Sequence, residues 1–229
     1  MDRDELISIL IATVMMSVVI ALFLNYLLFI PLYTAIVYSV VITLVTLIGH
    51  EMVHRFTAIE VCHMSAEFKI TTFAVEITLF SIFVLTALII LKQYTGWYTY
   101  FIPIVASPGA VFIDRMRTKC SDNVAAVAPF YNLGVGVVTL IYLFTVTSPP
   151  FVLNDVSNFY LTLIALISYF SFALAFLNSL PLKFGDIALD GYWAVTIDRS
   201  DYLVLSIVFI NIFVSFVVLF MTGWWVIRI

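Results

Sequence analysis

The stretch YTAIVYSVVITLVTLIGHEMVHR, residues 33–55, stays apolar or hydroxylic up to Gly49 and then closes on two histidines, a glutamate and an arginine. As a helix the residues from Tyr33 to Gly49 rise roughly 25 Å, most of the ~30 Å thickness of a hydrocarbon bilayer. The run therefore reads as a membrane span, with its polar cluster just inside the far boundary. Ionisable side chains at that depth are costly and mark functional positions.

Composition extends this reading to the whole chain. Of 229 residues, 64% are hydrophobic and 10% charged, and the mean hydropathy is +1.16. A soluble domain of this length needs far more polar surface, so lipid is the expected solvent. Membrane lipid is an expected partner and nucleic acid is not, and in that setting the net charge of -4 says little. The acidic start MDRDEL, with no small-residue cleavage site after its apolar run, reads as a retained span rather than a leader. Cys62 and Cys120 form no spacing signature and read as two reduced thiols.

Apolar runs lie at about 6–29, 33–55, 71–91, 97–113, 124–147, 156–180 and 202–227. Six of them suit spanning helices. The exception, WYTYFIPIVASPGAVFI at 97–113, is rich in aromatic and β-branched residues and broken by Pro103 and by Ser107, Pro108 and Gly109. It reads as a re-entrant or extended segment, and such backbone is tolerated at membrane depth only where protein or a water-filled cavity surrounds it. The expected fold is thus an all-α polytopic membrane protein of about six transmembrane helices plus that segment. It forms one integral membrane domain over 1–229, with a core at 33–195 between flanking gate helices at about 6–29 and 202–227.

If 97–113 returns to the side from which it came, Arg3, Arg55, Lys69, Arg115, Arg117, Lys119, Lys183 and Arg199 share one face, with Lys92 and Arg228 opposite. That asymmetry assigns the histidine end to the cytoplasmic side of the cell membrane.

On a helix His50 and His54, four residues apart, present two imidazoles to one ion, and Glu51 stands beside the open position. HExxH is the zinc-hydrolase arrangement, in which the metal acidifies water and the glutamate accepts its proton. Chains of this composition would contain it by chance about once in a thousand. A catalytic zinc site has three protein ligands. A metzincin would need glycine at 57 and histidine at 60, where Thr57 and Glu60 stand. A glutamate ligand would have to come from Glu60, Glu67 or Glu76, and His63 is a further candidate. A more informative stretch is FLNSLPLKFGDIALDGYWAV at 176–195, which follows the span at 156–180 on the same face.

HEMVH followed by LNSLP and then ALDGYW resembles the site-2 protease family of intramembrane zinc metalloproteases, whose second signature is Asn-x-x-Pro leading to Leu-Asp-Gly. AAVAPFYNLGVG at 125–136 is similar to that family's Gly-Pro-x-x-Asn element, with Ala128 in place of glycine. CHMSAEFKI at 62–70 with ASPGAVFI at 106–113 resembles an archaeal branch. The resemblance covers roughly residues 45–195.

It implies zinc held by His50, His54 and Asp190, Glu51 as catalytic base, and Asn132 with Asn178 near the substrate carbonyl. Asn132 also suits a helix-start or interhelical hydrogen bond. The commonest family spacing would instead make Asp186 the third ligand, eight residues after Asn178, whereas Asp190 lies twelve after it in the matching Leu-Asp-Gly context. The implied partner is a transmembrane protein substrate. Its helix must unwind before a buried site can reach a carbonyl, and an extended edge at Pro108, Gly109, Ala110 and Val111 could hold it as an added strand. A prenyl-protein type of membrane zinc protease and a catalytically inactive binding relative are the alternatives. The chain specifies no oligomeric state and no physiological substrate.

Overall fold

The described part of each expected span is a helix, and several of the ends have local causes. In this computed structural model, residues 2–91, 109–113, 119–146, 158–184, 187–196 and 202–226 are described. Helix α1 (Arg3–Leu28) starts on Asp2, whose side chain accepts from the Glu5 N–H at 2.7 Å. It stops at Phe29, which takes left-handed φ of 53°. Pro31 then precedes α2 (Leu32–Ile42), where its missing N–H is harmless.

The second span does not stop there. It continues through a π-helical stretch at Thr43–Ile48, through α3 (Gly49–Phe56), and through a second π stretch at Thr57–Val61. Strand β1 (Ala66–Ile70), α4 (Thr72–Leu91), β2 (Gly109–Ile113), α5 (Lys119–Val146) and α6 (Phe159–Ser179) follow. Asn158 caps α6 by accepting from the Leu161 N–H. Its far end is set by Pro181, which forces Leu180 into extended backbone with ψ of 135°. A short antiparallel hairpin, β3 (Lys183–Phe184) and β4 (Ile187–Ala188), leads to α7 (Asp190–Thr196) and α8 (Tyr202–Val226).

Among the described residues four helices are long and apolar enough to cross a membrane, at Arg3–Tyr26, Leu32–Val61, Asn123–Val146 and Phe159–Ser179, with shorter apolar stretches at Val75–Ile90 and Val204–Val218. The chain is thus mostly helical, with the length and apolarity of a membrane protein. Large side chains such as Tyr33, Phe83 and Phe209 are exposed on these helices, as a lipid-facing surface requires. Hydroxyls turn inward on their own backbone: Thr46 donates to the Ile42 carbonyl at 2.8 Å, Ser81 to that of Ile77 at 2.8 Å and Thr139 to that of Val135 at 2.7 Å.

By its contacts the chain forms two compact units, interleaved in sequence. The first is Met1–Glu51 with Ala66–Phe112. Here α1 packs on α2, α4 and β1, and β1 pairs with β2. Ser17 donates to the Thr43 hydroxyl at 3.4 Å. The second unit is Met52–Ser65 with Ile113–Ile229. Its core joins α5, α7 and α8 through Ala125, Ala126, Ala194, Val204 and Val208. A further cluster joins α5, α6 and α8 around Leu133, Phe172 and Ala175. Gly136 makes the α5–α6 approach possible, since a Cβ there would meet the Phe172 ring at 3.0 Å, and its carbonyl accepts from Ser168 at 3.1 Å.

Of the irregular segment at 97–113, the described part is β2, which is extended and strand-paired; residues 97–108 lie outside the described residues, as do Lys92, Arg115, Arg117, Arg199 and Arg228 of the charge asymmetry. The cysteine reading needs correction. Cys62 and Cys120 are joined by a disulfide with Cα atoms 5.7 Å apart, because the end of the long second span is brought to the start of α5 within the second unit.

Candidate metal centre

Helix α3 carries the HExxH turn between two π-helical stretches. Such departures from the i→i−4 ladder are frequent at functional sites. His50, Glu51 and His54 are all buried, at 3%, 9% and 6% exposure. An α-helical turn puts His54 directly after His50 on one face of α3.

His54 is fixed at Nδ1, and its Nε2 faces Asp190. Its Nδ1 lies 2.7 Å from the Val124 carbonyl oxygen. A carbonyl only accepts, so Nδ1 carries the proton and donates, and Nε2 keeps the lone pair that a metal would use. Nε2 lies 3.1 Å from Asp190 Oδ1. One turn of α5 supplies that carbonyl, and Pro129 in the next turn removes the N–H that would otherwise bond to Ala125.

Asp190 opens α7, and Gly191 explains how it gets there. A Cβ at Gly191 would collide with the Ser179 carbonyl at the end of α6. The glycine is therefore needed for close approach of two backbones rather than for a turn conformation.

The ligand atoms of His50, His54 and Asp190 lie within 4.8 Å of one another, the two histidines buried and the aspartate partly so. Two imidazoles and one carboxylate, with one ring oriented by a backbone acceptor, are a donor set that could hold a divalent metal and leave a position open. Asp186, the alternative third ligand, lies outside the described residues, and so does Pro108.

The other candidates have different settings. Glu67 sits on β1 and pairs with Lys69, Oε2 to Nζ 2.8 Å. Glu76 is exposed on α4, and Glu60 is exposed in the second π stretch. His63 takes left-handed φ of 53° and ends the long second span, the Met64 N–H reaching back to the Ala58 carbonyl at 2.8 Å. None of the four joins His50, His54 and Asp190 in the metal-capable group found among the described residues.

Glu51 is held from another direction. The N–H of Val111, on β2, donates to Glu51 Oε2 at 3.0 Å, so the extended segment reaches the carboxylate of the motif. Ala110 is exposed on the same strand and Gly109 begins it. Asn132 is fully buried on α5. It lies two helical turns beyond Val124 on the same face, about 12 Å along the axis. Asn178 is partly buried in the last turn of α6. Sequence reasoning missed two features. Val124 acts through a backbone carbonyl, which no residue type announces. Glu5, 2% exposed, accepts from the Phe68 N–H of β1 at 3.2 Å; an acid three residues after an N-cap aspartate was its only signal.

No family model, curated protein or solved structure matches the chain.

Proposed function

We propose that the chain is an intramembrane zinc metalloprotease that hydrolyses peptide bonds within or near transmembrane segments of membrane proteins. The observation that carries this reading is the buried His50, His54 and Asp190 group, with Glu51 in the same helical turn. The resemblance of HEMVH, APFYN and LNSLP with ALDGYW to the site-2 protease family supports it. The pairing of Glu67 with Lys69 gives less support to a prenyl-protein type of site, which needs a glutamate ligand.

In this reading His50, His54 and Asp190 hold the zinc. The ion would supply Lewis acidity toward water and toward a peptide carbonyl. Val124 keeps the proton on Nδ1 of His54 and so keeps Nε2 available. Glu51 takes a proton from the attacking water and returns it to the leaving amine. Before substrate arrives, the Val111 N–H orients that carboxylate. A substrate helix, locally unwound, adds as an extended strand along Gly109, Ala110 and Val111, where main-chain hydrogen bonds replace those lost from its helix. Asn132 and Asn178 are assigned to the substrate carbonyl on the resemblance alone. The site faces the cytoplasmic side on the basic-residue asymmetry.

The test is metal analysis of the purified chain together with cleavage of a panel of model single-span peptides. Glu51→Gln keeps the shape of the side chain but cannot accept the proton, so it should retain zinc and lose about 10²–10⁴-fold in turnover. Appreciable cleavage by this variant, or zinc-independent cleavage by the wild type, would sink the assignment.

A further inference from the structure

A two-stranded sheet has two open edges, and in an apolar medium every unpaired edge N–H carries a cost. In the first unit the β1–β2 sheet meets a carboxylate at each strand. The Phe68 N–H of β1 donates to Glu5 Oε1 at 3.2 Å, and the Val111 N–H of β2 donates to Glu51 Oε2 at 3.0 Å. In a strand, N–H groups that do not point to the partner strand point to the outer edge. The two carboxylates therefore mark opposite edges of one sheet.

Glu5 is not an ordinary first-turn acid. A glutamate three residues after the N-cap usually serves its own helix end, yet Oε1 of Glu5 reaches across to a strand more than sixty residues away in sequence. It is 2% exposed, while Asp4 beside it is exposed. Asp2 fixes the backbone of that turn by accepting from the Glu5 N–H, and α1 packs along β1. Phe68, the residue it holds, is itself 1% exposed.

We infer that Glu5 is a positioning residue for the substrate strand: it closes the outer edge of β1, so that an extended segment can add only along β2, beside Glu51. This rests on the protease reading above and deepens it. Glu51 then has two tasks on one edge, since the hydrogen bond it takes from Val111 marks the place where a substrate carbonyl would be received. With β1 anchored to α1, the sheet cannot slide along its own axis, and the register between β2 and the motif helix is kept.

The test compares Glu5→Ala, Glu5→Gln and Asp4→Ala in the full chain. The probe is a synthetic single-span peptide with a central Gly-Gly break, and zinc content is measured on the same samples. Glutamine keeps an acceptor oxygen at the right reach and should behave as wild type. Alanine should raise KM by about tenfold or more, the scale of one hydrogen bond to a carboxylate, with zinc content and kcat little changed. Asp4→Ala, which removes the neighbouring charge without touching β1, should leave KM alone. Amide exchange at Phe68 gives a readout independent of turnover: it should quicken in Glu5→Ala and stay slow in Glu5→Gln. A wild-type KM in Glu5→Ala, or a glutamine variant as impaired as the alanine, would overturn the role of Glu5 while leaving the protease reading intact. A wild type that binds no zinc and cleaves nothing would overturn that reading, and the inference with it.

Discussion

His54 and Glu51 stand one helical turn apart in α3, yet the two are braced by different kinds of structure. His54 is held within a packed helical region, by the Val124 carbonyl of α5 and by Asp190 at the start of α7. Glu51 accepts from the amide of an extended residue, Val111. Packed helices have one arrangement and transmit any distortion, whereas a strand edge can exchange one acceptor for another. On the proposed protease reading, the difference suits the first region to durable work, holding a metal, and the second to exchangeable work, receiving a substrate. Changes around His54 should therefore be read in metal content, and changes around Glu51 in turnover or KM.

The largest expected effect breaks the first region outright. Asp190→Asn keeps the shape and removes the charge that makes the side chain a good donor to a cation, so metal affinity should fall by more than about tenfold and proteolysis should stop. Asp186→Asn should cost little. Metal analysis after dialysis against a weak chelator separates the two. The reverse pattern would move the third ligand to Asp186, and retention of metal by both single variants and by the double variant would remove the aspartate from the site.

A smaller effect sharpens the same comparison from the backbone side. Gly191→Ala brings a methyl group against the Ser179 carbonyl, and overpacking of that kind costs about 1–3 kcal/mol. Because Asp190 is the preceding residue, the strain should appear as weaker metal binding with Glu51 chemistry otherwise preserved. Full activity should then return at saturating zinc. A loss of activity that zinc does not restore would show that the glycine serves something other than ligand placement.

How much of this was legible beforehand varies with the kind of interaction. Side chains that act through their own chemistry announce themselves: His50, Glu51 and His54 by spacing, Asp190 by its Leu-Asp-Gly context. The helical spans were legible because lipid demands apolar runs of set length, and α4 begins at Thr72, within a residue of the run at 71–91 that forecast it. Backbone partners were not legible. Val124 and Val111 contribute a carbonyl and an N–H that any residue could supply, and their identity depends on which segments meet. The π stretches flanking α3 are also set by tertiary packing, because nothing in TLVTLI or TAIEV departs from ordinary helix composition. Gly191 acts by close approach to the Ser179 carbonyl, which the Leu-Asp-Gly context alone does not show. The cysteines were misread because 58 residues separate them and spacing says nothing about segments so far apart.

The disulfide should have the smallest effect on chemistry, and the reason is geometric. Cys62 follows the second π stretch, two turns beyond His54, and Cys120 lies one turn before Val124. The bond therefore ties together the two segments that exchange the Nδ1 hydrogen bond, without touching the metal ligands. Opening it in Cys62→Ser should lower stability by about 2–4 kcal/mol. Metal affinity should fall less than the 10–100-fold typical of removing a partner that contacts a ligand directly, since packing of α5 on α6, α7 and α8 still positions Val124. A loss of metal as complete as in Asp190→Asn would instead make the disulfide part of the site. The same bond tests sidedness, because disulfides are rare in a reducing cytosol, hyperthermophile cytoplasm excepted. Alkylation of both thiols in native membranes under non-reducing conditions would show that the bond stays open in the cell, as the cytoplasmic assignment requires in a mesophile. A pair that resists alkylation until reductant is added would, in such a cell, reverse that assignment and turn the His54 end of α3 outward.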